Sequence, residues 1–329
     1  MKKLINAVDD VVSESLAGFC AAHSEIVRIG ETAPFVLRRR LKPGKVALLS
    51  GGGSGHEPLH SGFVGHGMLD AACPGQVFTS PTPDLILAAA EAADTGGGVL
   101  FIVKNYEGDV MNFDMAREMA GKSIATVITD DDVAVETSTF STGRRGVAGT
   151  LIVEKIVGAA AEEGRNLVAL KALGDRVNAA TRSIGIALTS CTVPAAGKPM
   201  FDLAEDEMEV GVGIHGEPGR RRVKLRPAAE IAAEMVNAIT ADLGARVRGE
   251  VILLINGFGA TPLSELYLMY DAVGKPLEVA GSIVARSLVG NFVTSLDMAG
   301  CSLTVSMLDD EMRRFWDAPV HTAALRWRI

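Results

Sequence analysis

The feature that most restricts the fold is an alternation that recurs along the chain: a short apolar run, a Gly-rich or polar exit, then helical periodicity. Lys45-Val46-Ala47-Leu48-Leu49-Ser50 is too short for a core helix and is followed by Gly51-Gly52-Gly53-Ser54-Gly55, so it reads as a buried strand entering a loop. Pro58 suits the first turn of a helix after that loop. Pro83 and Asp84 open an Ala-rich helix that stops near Gly96-Gly97-Gly98, and Val99-Leu100-Phe101-Ile102-Val103 is the next buried strand. Its exit, Lys104-Asn105-Tyr106-Glu107-Gly108-Asp109, leads into a helix to about Gly121. Residues 123–129 form a third strand, and 146–181 are mostly helical with a break near Gly164.

The second half repeats the scheme. Ile184–Thr189 is a strand, Met208–Ile214 a further extended run, Pro227–Leu243 a helix, and Val251–Ile255 a strand leading to Asn256-Gly257-Phe258-Gly259-Ala260-Thr261-Pro262. The expected class is α/β: two α/β domains with mixed or parallel sheets covered by helices, residues 1–183 and 184–329. In open sheets of this kind ligands gather at the carboxyl ends of strands, so the polar exits after Ser50 and Val103 are expected to face one cleft.

Composition narrows the function. A chain of 329 residues suffices for two cores, and 40 acidic against 32 basic residues, a net charge of −8, argues against a nucleic-acid partner. Arg220-Arg221-Arg222 has no aromatic interleaving and reads as a solvated loop. Asp9 and Asp10 interrupt the opening before a secretory core could form, and no apolar stretch reaches a membrane span of about 20 residues. Cys20, Cys73, Cys191 and Cys301 are scattered, which indicates neither disulfides nor structural zinc. A cytoplasmic protein is expected.

Three short patterns mislead. His56-Glu57-Pro58-Leu59-His60 fits H-E-x-x-H, but Pro58 belongs in a first helical turn, so the histidines need not share a helix face and no metal site is expected. Gly211–Gly216 has G-x-G-x-x-G spacing without a helix opening behind it. Gly121-Lys122-Ser123 resembles the end of a phosphate loop whose first glycine would be Ala116, inside a predicted helix. No nucleotide motif survives.

What remains is a set of loop residues. Gly51–Gly55 can bring bare backbone N–H groups to a small oxygen-rich ligand, with the His56 imidazole beside it; a tight turn with a satisfied histidine is the alternative. Asp109 could accept a hydroxyl proton as that oxygen attacks phosphorus, or could simply cap its helix. His215 sits among glycines with little bulk around it, and a neutral imidazole can add to a ketone carbonyl.

Taken together, KVALLSGGGSGHEPLH (45–60), CPGQVFTSPTPD (73–84), KNYEGD (104–109), DDDVA (130–134), GRRGVA (143–148), CTVPAAGKP (191–199), GVGIHGEPG (211–219), NGFGATPLSEL (256–266), SLD (295–297) and WDAPVHT (316–322) resemble the substrate-binding subunit of dihydroxyacetone kinases. The resemblance spans nearly the whole chain. It implies a hemiaminal between His215 and the ketone, assistance at the hydroxyls from His56 and Asp109, and substrate contacts from Gly53, Ser54, Gly55, His56 and Lys104, with Ser80 a neighbour. It also implies a homodimer that binds no cofactor itself. ATP or ADP with Mg is expected on a separate helical kinase subunit, recharged by a phosphoenolpyruvate-driven phosphotransferase protein or by ATP exchange. A kinase for a longer hydroxyketone such as erythrulose, or a ketone sensor acting as a coactivator, are the alternatives. Residues 220–248 look shorter than the usual insertion in this family.

Overall fold

The computed structural model describes residues 2–121, 123–135, 141–217 and 219–328; Lys122 and Pro218, which fall in motifs read above, lie outside the described residues. The strands are β1 (Val27–Ile29), β2 (Val36–Arg38), β3 (Ala47–Ser54), β4 (Gly65–His66), β5 (Ala71–Val77), β6 (Val99–Lys104), β7 (Ile124–Thr129), β8 (Thr181–Ala187), β9 (Glu207–Val210), β10 (Arg221–Lys224), β11 (Gly249–Gly257), β12 (Ser282–Gly290), β13 (Gly300–Met307), β14 (Val320–Thr322) and β15 (Arg326–Trp327). The helices are α1 (Val11–Ala22), α2 (Pro83–Ala93), α3 (Glu107–Met119), α4 (Gly149–Glu162), α5 (Leu167–Ala179), α6 (Ala228–Leu243), α7 (Leu263–Val279) and α8 (Asp310–Asp317).

The expected α/β class is what the chain adopts. One sheet has the order β1-β2-β5-β3-β6-β7, with β5, β3, β6 and β7 parallel. The other, β10-β9-β8-β13-β11-β12, is largely antiparallel, with β11 and β12 parallel. A small sheet, β15-β14-β4, ties residues 320–327 back to Gly65–His66. Ser183 is the third residue of β8 and so lies inside the second sheet.

Local chemistry explains most boundaries. All six residues of β6 are buried, as befits a parallel strand covered on both faces. Pro83 occupies the first turn of α2, and the side chains of Asn166 and Asp309 accept from Ala169 N at 2.9 Å and Met312 N at 2.7 Å, capping α5 and α8. Helix α4 is buried from Gly149 to Ala161 because it packs against β3, β6 and β7 on one side and β8 and β13 on the other. Each fully buried Leu, Ile or Val there contributes about 1.5–3 kcal/mol. That offsets the burial of Glu154 and Lys155 on the same helix, which costs several kcal/mol per ion unless each finds a partner. Lys155 Nζ donates to Phe315 O at 2.8 Å.

The fold corrects three sequence expectations. The strand predicted to end at Ser50 runs to Ser54, because β5 continues to pair with it (Gly51 with Cys73, Gly52 with Pro74, Gly53 with Gly75); the glycines are strand residues, not a loop. Pro58 opens no α-helix; its peptide bond with Glu57 is cis, and only a 3-10 turn, Ser61–Phe63, follows. The arginine run is likewise not a free loop: Arg221 and Arg222 lie in edge strand β10, paired with Glu234 and Glu209. Ala116 is buried inside α3, so the phosphate-loop reading has no loop to stand on.

Candidate active site

Lys104 ends β6 and is fully buried next to β3. Its Nζ lies 2.9 Å from His60 Nε2, 3.3 Å from Gly51 O and 3.4 Å from Asp109 Oδ2. Asp109 sits in the first turn of α3, buried, and its Oδ1 accepts from Ser80 Oγ at 2.5 Å. The helix cap is Tyr106, without a side-chain cap bond, so Asp109 is not serving as the cap. A Cβ at Gly52 would land on the Lys104 Nζ, which is why this strand position carries no side chain. Gly52→Ala is therefore expected to push the ammonium aside and lower turnover about a hundredfold, the usual cost of a misplacement near 1 Å, with an unchanged melting temperature. Steady-state kinetics beside a thermal melt would check this.

His56 follows β3 and is buried. Its Nδ1 lies 2.8 Å from Thr294 O, which can only accept, so Nδ1 carries the proton and Nε2 holds the lone pair. Nε2 is buried with no hydrogen-bond partner. Burial first, then the charges of His215 and Lys104, hold His56 well below the usual histidine range, so it is neutral at physiological pH. An orphaned acceptor of this kind is available to a donor such as a hydroxyl. The segment itself is fastened from the second half of the chain: Thr294 N donates to His56 O and Thr294 Oγ1 to Glu57 O. Of the backbone N–H groups expected to face a ligand, Gly55 N donates to the Glu57 carboxylate; the Ser54 hydroxyl donates to Gly75 O. A Cβ at Gly53 would meet Thr79 N at 2.5 Å, so the chain after β5 packs directly on this strand.

His215 lies in the loop after β9 and retains 15% side-chain exposure, against 1% for His56 as a whole. Its ring stands edge-on to His56, Phe78 and Tyr106, with centroids 4.6, 5.3 and 4.4 Å away. Phe78 stacks on His56 at 5.1 Å. Glu217 clamps the loop: one carboxylate oxygen accepts from His215 N at 3.0 Å and the other lies 3.3 Å from His215 Nδ1. Burial pushes the Glu217 carboxyl up, but the hydrogen bond and charge of His215 together with Arg145 outweigh it and hold Glu217 at about 2. In the neutral form of His215, Nδ1–H donates to the Glu217 carboxylate and Nε2 keeps a lone pair that can act as a nucleophile. Arg145 is buried, paired to Asp132 at 2.6 Å, and donates to Gly211 O at 2.7 Å, fixing the start of the same loop.

The structure thus brings His56 and His215 together within an aromatic box, and Lys104, Asp109 and Ser80 into a charged cluster; the charge of Lys104 acts on His56 and links the two. Tyr106 OH is likewise buried without a hydrogen-bond partner. Tyr106, Phe78, Glu217, Arg145 and Thr294 were not singled out as site residues from the sequence, although all but Thr294 lie within the strings quoted above. Among the described residues, no group of three or more His, Cys, Asp or Glu side chains is placed to hold a metal, and no helix is long and apolar enough to cross a membrane. His56 and His60 share no helix and have other partners.

The Dak1 domain family matches residues 17–324. The chain belongs to the Dak1 family. Among Dak1 relatives, it is 51% identical over 314 residues, 94% of this chain and 95% of the other, to the dihydroxyacetone-binding subunit of a phosphotransferase-system-dependent dihydroxyacetone kinase of Listeria innocua. The dihydroxyacetone kinase of C. freundii, solved with AMP-PNP and Mg2+, superposes with a TM-score of 0.88 at 34% identity, covering 99% of this chain and 61% of that one. A dihydroxyacetone kinase operon co-activator superposes with a TM-score of 0.88 at 36% identity, covering 97% and 98%. Dak1 chains therefore include both a kinase and a co-activator, and the residues of the site must decide between them.

Proposed function

We propose that this chain is the substrate-binding and catalytic subunit of a cytoplasmic dihydroxyacetone kinase. In this reading it holds dihydroxyacetone as a hemiaminal on His215, while a separate nucleotide-bearing subunit delivers a phosphoryl group drawn from the phosphotransferase system. The observation that carries it is the state of His215: Nδ1 is tied to the Glu217 carboxylate and Nε2 is left to attack, beside the orphaned acceptor of His56. Nε2 adds to the ketone carbon and the carbonyl π pair moves to oxygen; that oxygen takes a proton from solvent while Nδ1–H passes its own through the Glu217 carboxylate to solvent, so the hemiaminal forms with no net change in protons. Glycerol has no carbonyl to attack, so selection rests on chemistry rather than on size. His56 Nε2 accepts from a substrate hydroxyl.

At the terminal hydroxyl, Asp109 takes the proton as oxygen attacks phosphorus and the bond from phosphorus to the nucleotide breaks. Lys104 balances the charge of the carboxylate. The arrangement of Lys104, Asp109 and Ser80 favours a kinase over a co-activator, which would need the ketone anchor but no base. The Listeria innocua relative, which is named as a dihydroxyacetone-binding subunit and matched over 95% of its length, supports a nucleotide carried on another chain.

The test is intact mass spectrometry of the protein with dihydroxyacetone and with glycerol, followed by peptide mapping and by turnover with a helical partner subunit. Adduct on His215 with the ketone alone, plus phosphorylation, is expected. Adduct without turnover by any partner would move the chain to the co-activator class, and no adduct under conditions of binding would remove the covalent mechanism.

A further inference from the structure

Glu154 and His60 play no part in the mechanism above, yet they are joined to it by an unbroken buried chain. Glu154 Oε1 lies 2.6 Å from His60 Nδ1, and His60 Nε2 lies 2.9 Å from Lys104 Nζ. All of these residues are buried. The proton positions follow from the partners. An ammonium can only donate, so His60 Nε2 accepts and Nδ1 carries the ring proton. Ser50 Oγ donates to Ile102 O at 2.6 Å, which leaves its oxygen free to accept from His60 Nδ1 at 2.9 Å alongside Glu154.

We propose that His60 and Glu154 are positioning residues for phosphoryl transfer: through this chain they hold the Lys104 ammonium where it meets Asp109. The proposal rests on Asp109 being the base at the substrate hydroxyl. Of the contacts to Lys104 Nζ, His60 is the shortest, and the contacts to Gly51 O and Asp109 are longer than an ordinary hydrogen bond to a charged group. Without His60 the ammonium has no close partner to fix its direction. Glu154 acts one step back, orienting the imidazole as a carboxylate orients a ligating or catalytic histidine.

The titratable groups facing this chain are His56 and His60 from the segment after β3, Asp109 from α3 and Glu154 from α4. Burial pushes Glu154 up to about 8, against the charge of Lys104. Burial, then Lys104 and His56, hold His60 far below the usual histidine range, so it stays a neutral acceptor. Glu154 therefore gains its charge as pH rises through about 8, and its hold on His60 strengthens there.

The experiment compares wild type, His60→Phe, His60→Gln and Glu154→Gln, each with the partner subunit, and reads kcat, KM for dihydroxyacetone, adduct on His215 and melting temperature. His60→Phe keeps the ring volume but removes both nitrogens, and is expected to lower kcat about a hundredfold, within the range of a lost proton-transfer arrangement, with KM and adduct little changed. His60→Gln can present an amide oxygen to Lys104 and is expected to recover about tenfold of that loss. For Glu154→Gln, the ratio of wild-type to variant kcat is expected to grow from about twofold at pH 7 to about tenfold at pH 9, as the missing charge would have appeared. Equal impairment of the two His60 variants, or a flat ratio across that range, overturns the proposal while leaving the kinase reading intact. A wild type that neither forms adduct nor turns over a hydroxyketone removes both. If Glu154→Gln does not fold, the His60 pair still decides.

Discussion

His215→Ala is expected to give no ketone adduct by intact mass spectrometry and to bind dihydroxyacetone at least about a hundredfold more weakly, roughly 3 kcal/mol. The size follows from what the substrate offers. A three-carbon hydroxyketone has too few atoms to bind tightly by contact alone, since even the best small ligands gain at most about 1.5 kcal/mol per heavy atom, so a covalent tether supplies a large share. His56 cannot take over the role. It is buried and stacked on Phe78, with its protonated nitrogen committed to Thr294 O, whereas His215 is the partly exposed ring. Turnover with the partner subunit should fall with binding, while the melting temperature should hold, because the His215 side chain meets only its own loop and the aromatic box. Titration by calorimetry that gives wild-type affinity for the variant would end the tether reading and return His215 to an ordinary loop residue.

The sequence carried the parts of this site that are local. Strands β6 and β7, helices α2, α4 and α5, and the strings around His56, Asp109 and His215 are written in apolar runs, Pro and Asp at a helix start, and glycines at the exits. The extent of β3 was not legible, because pairing with β5 overrides the usual reading of consecutive glycines as a loop. Nor were the partners. His56 is fastened by Thr294, 238 positions away, and His60 meets Glu154, 94 positions away. No periodicity specifies such contacts; they exist only once α4 is wedged between the sheets and the Thr294–Leu296 segment returns across the second half. Glu154 itself lies in a helix that reads from sequence as apolar core, and its charge there is explicable only from the fold.

Asp109→Asn separates anchoring from chemistry. The amide keeps the volume, with one oxygen to accept from Lys104 and an NH2 to donate to the Ser80 hydroxyl oxygen, so the cluster should stay assembled; it loses the negative charge and the ability to take a proton. Removing one member of a buried ion pair can cost about 3–5 kcal/mol, but Lys104 retains His60 Nε2 at 2.9 Å and Gly51 O at 3.3 Å, so the loss of stability should be well below that range. Adduct on His215 should form as in wild type, because carbonyl addition uses His215 and Glu217 rather than Asp109. With the helical partner present, kcat is expected to drop about 10²–10⁴-fold, the range for losing a general base, with KM for dihydroxyacetone changed little. Single-turnover assays would locate the loss in the phosphoryl-transfer step. A variant that keeps kcat within about threefold would mean that the hydroxyl needs no base here and that Asp109 serves only to place it. One that loses the adduct as well would mean that anchoring and proton transfer cannot be assigned to separate halves of the site.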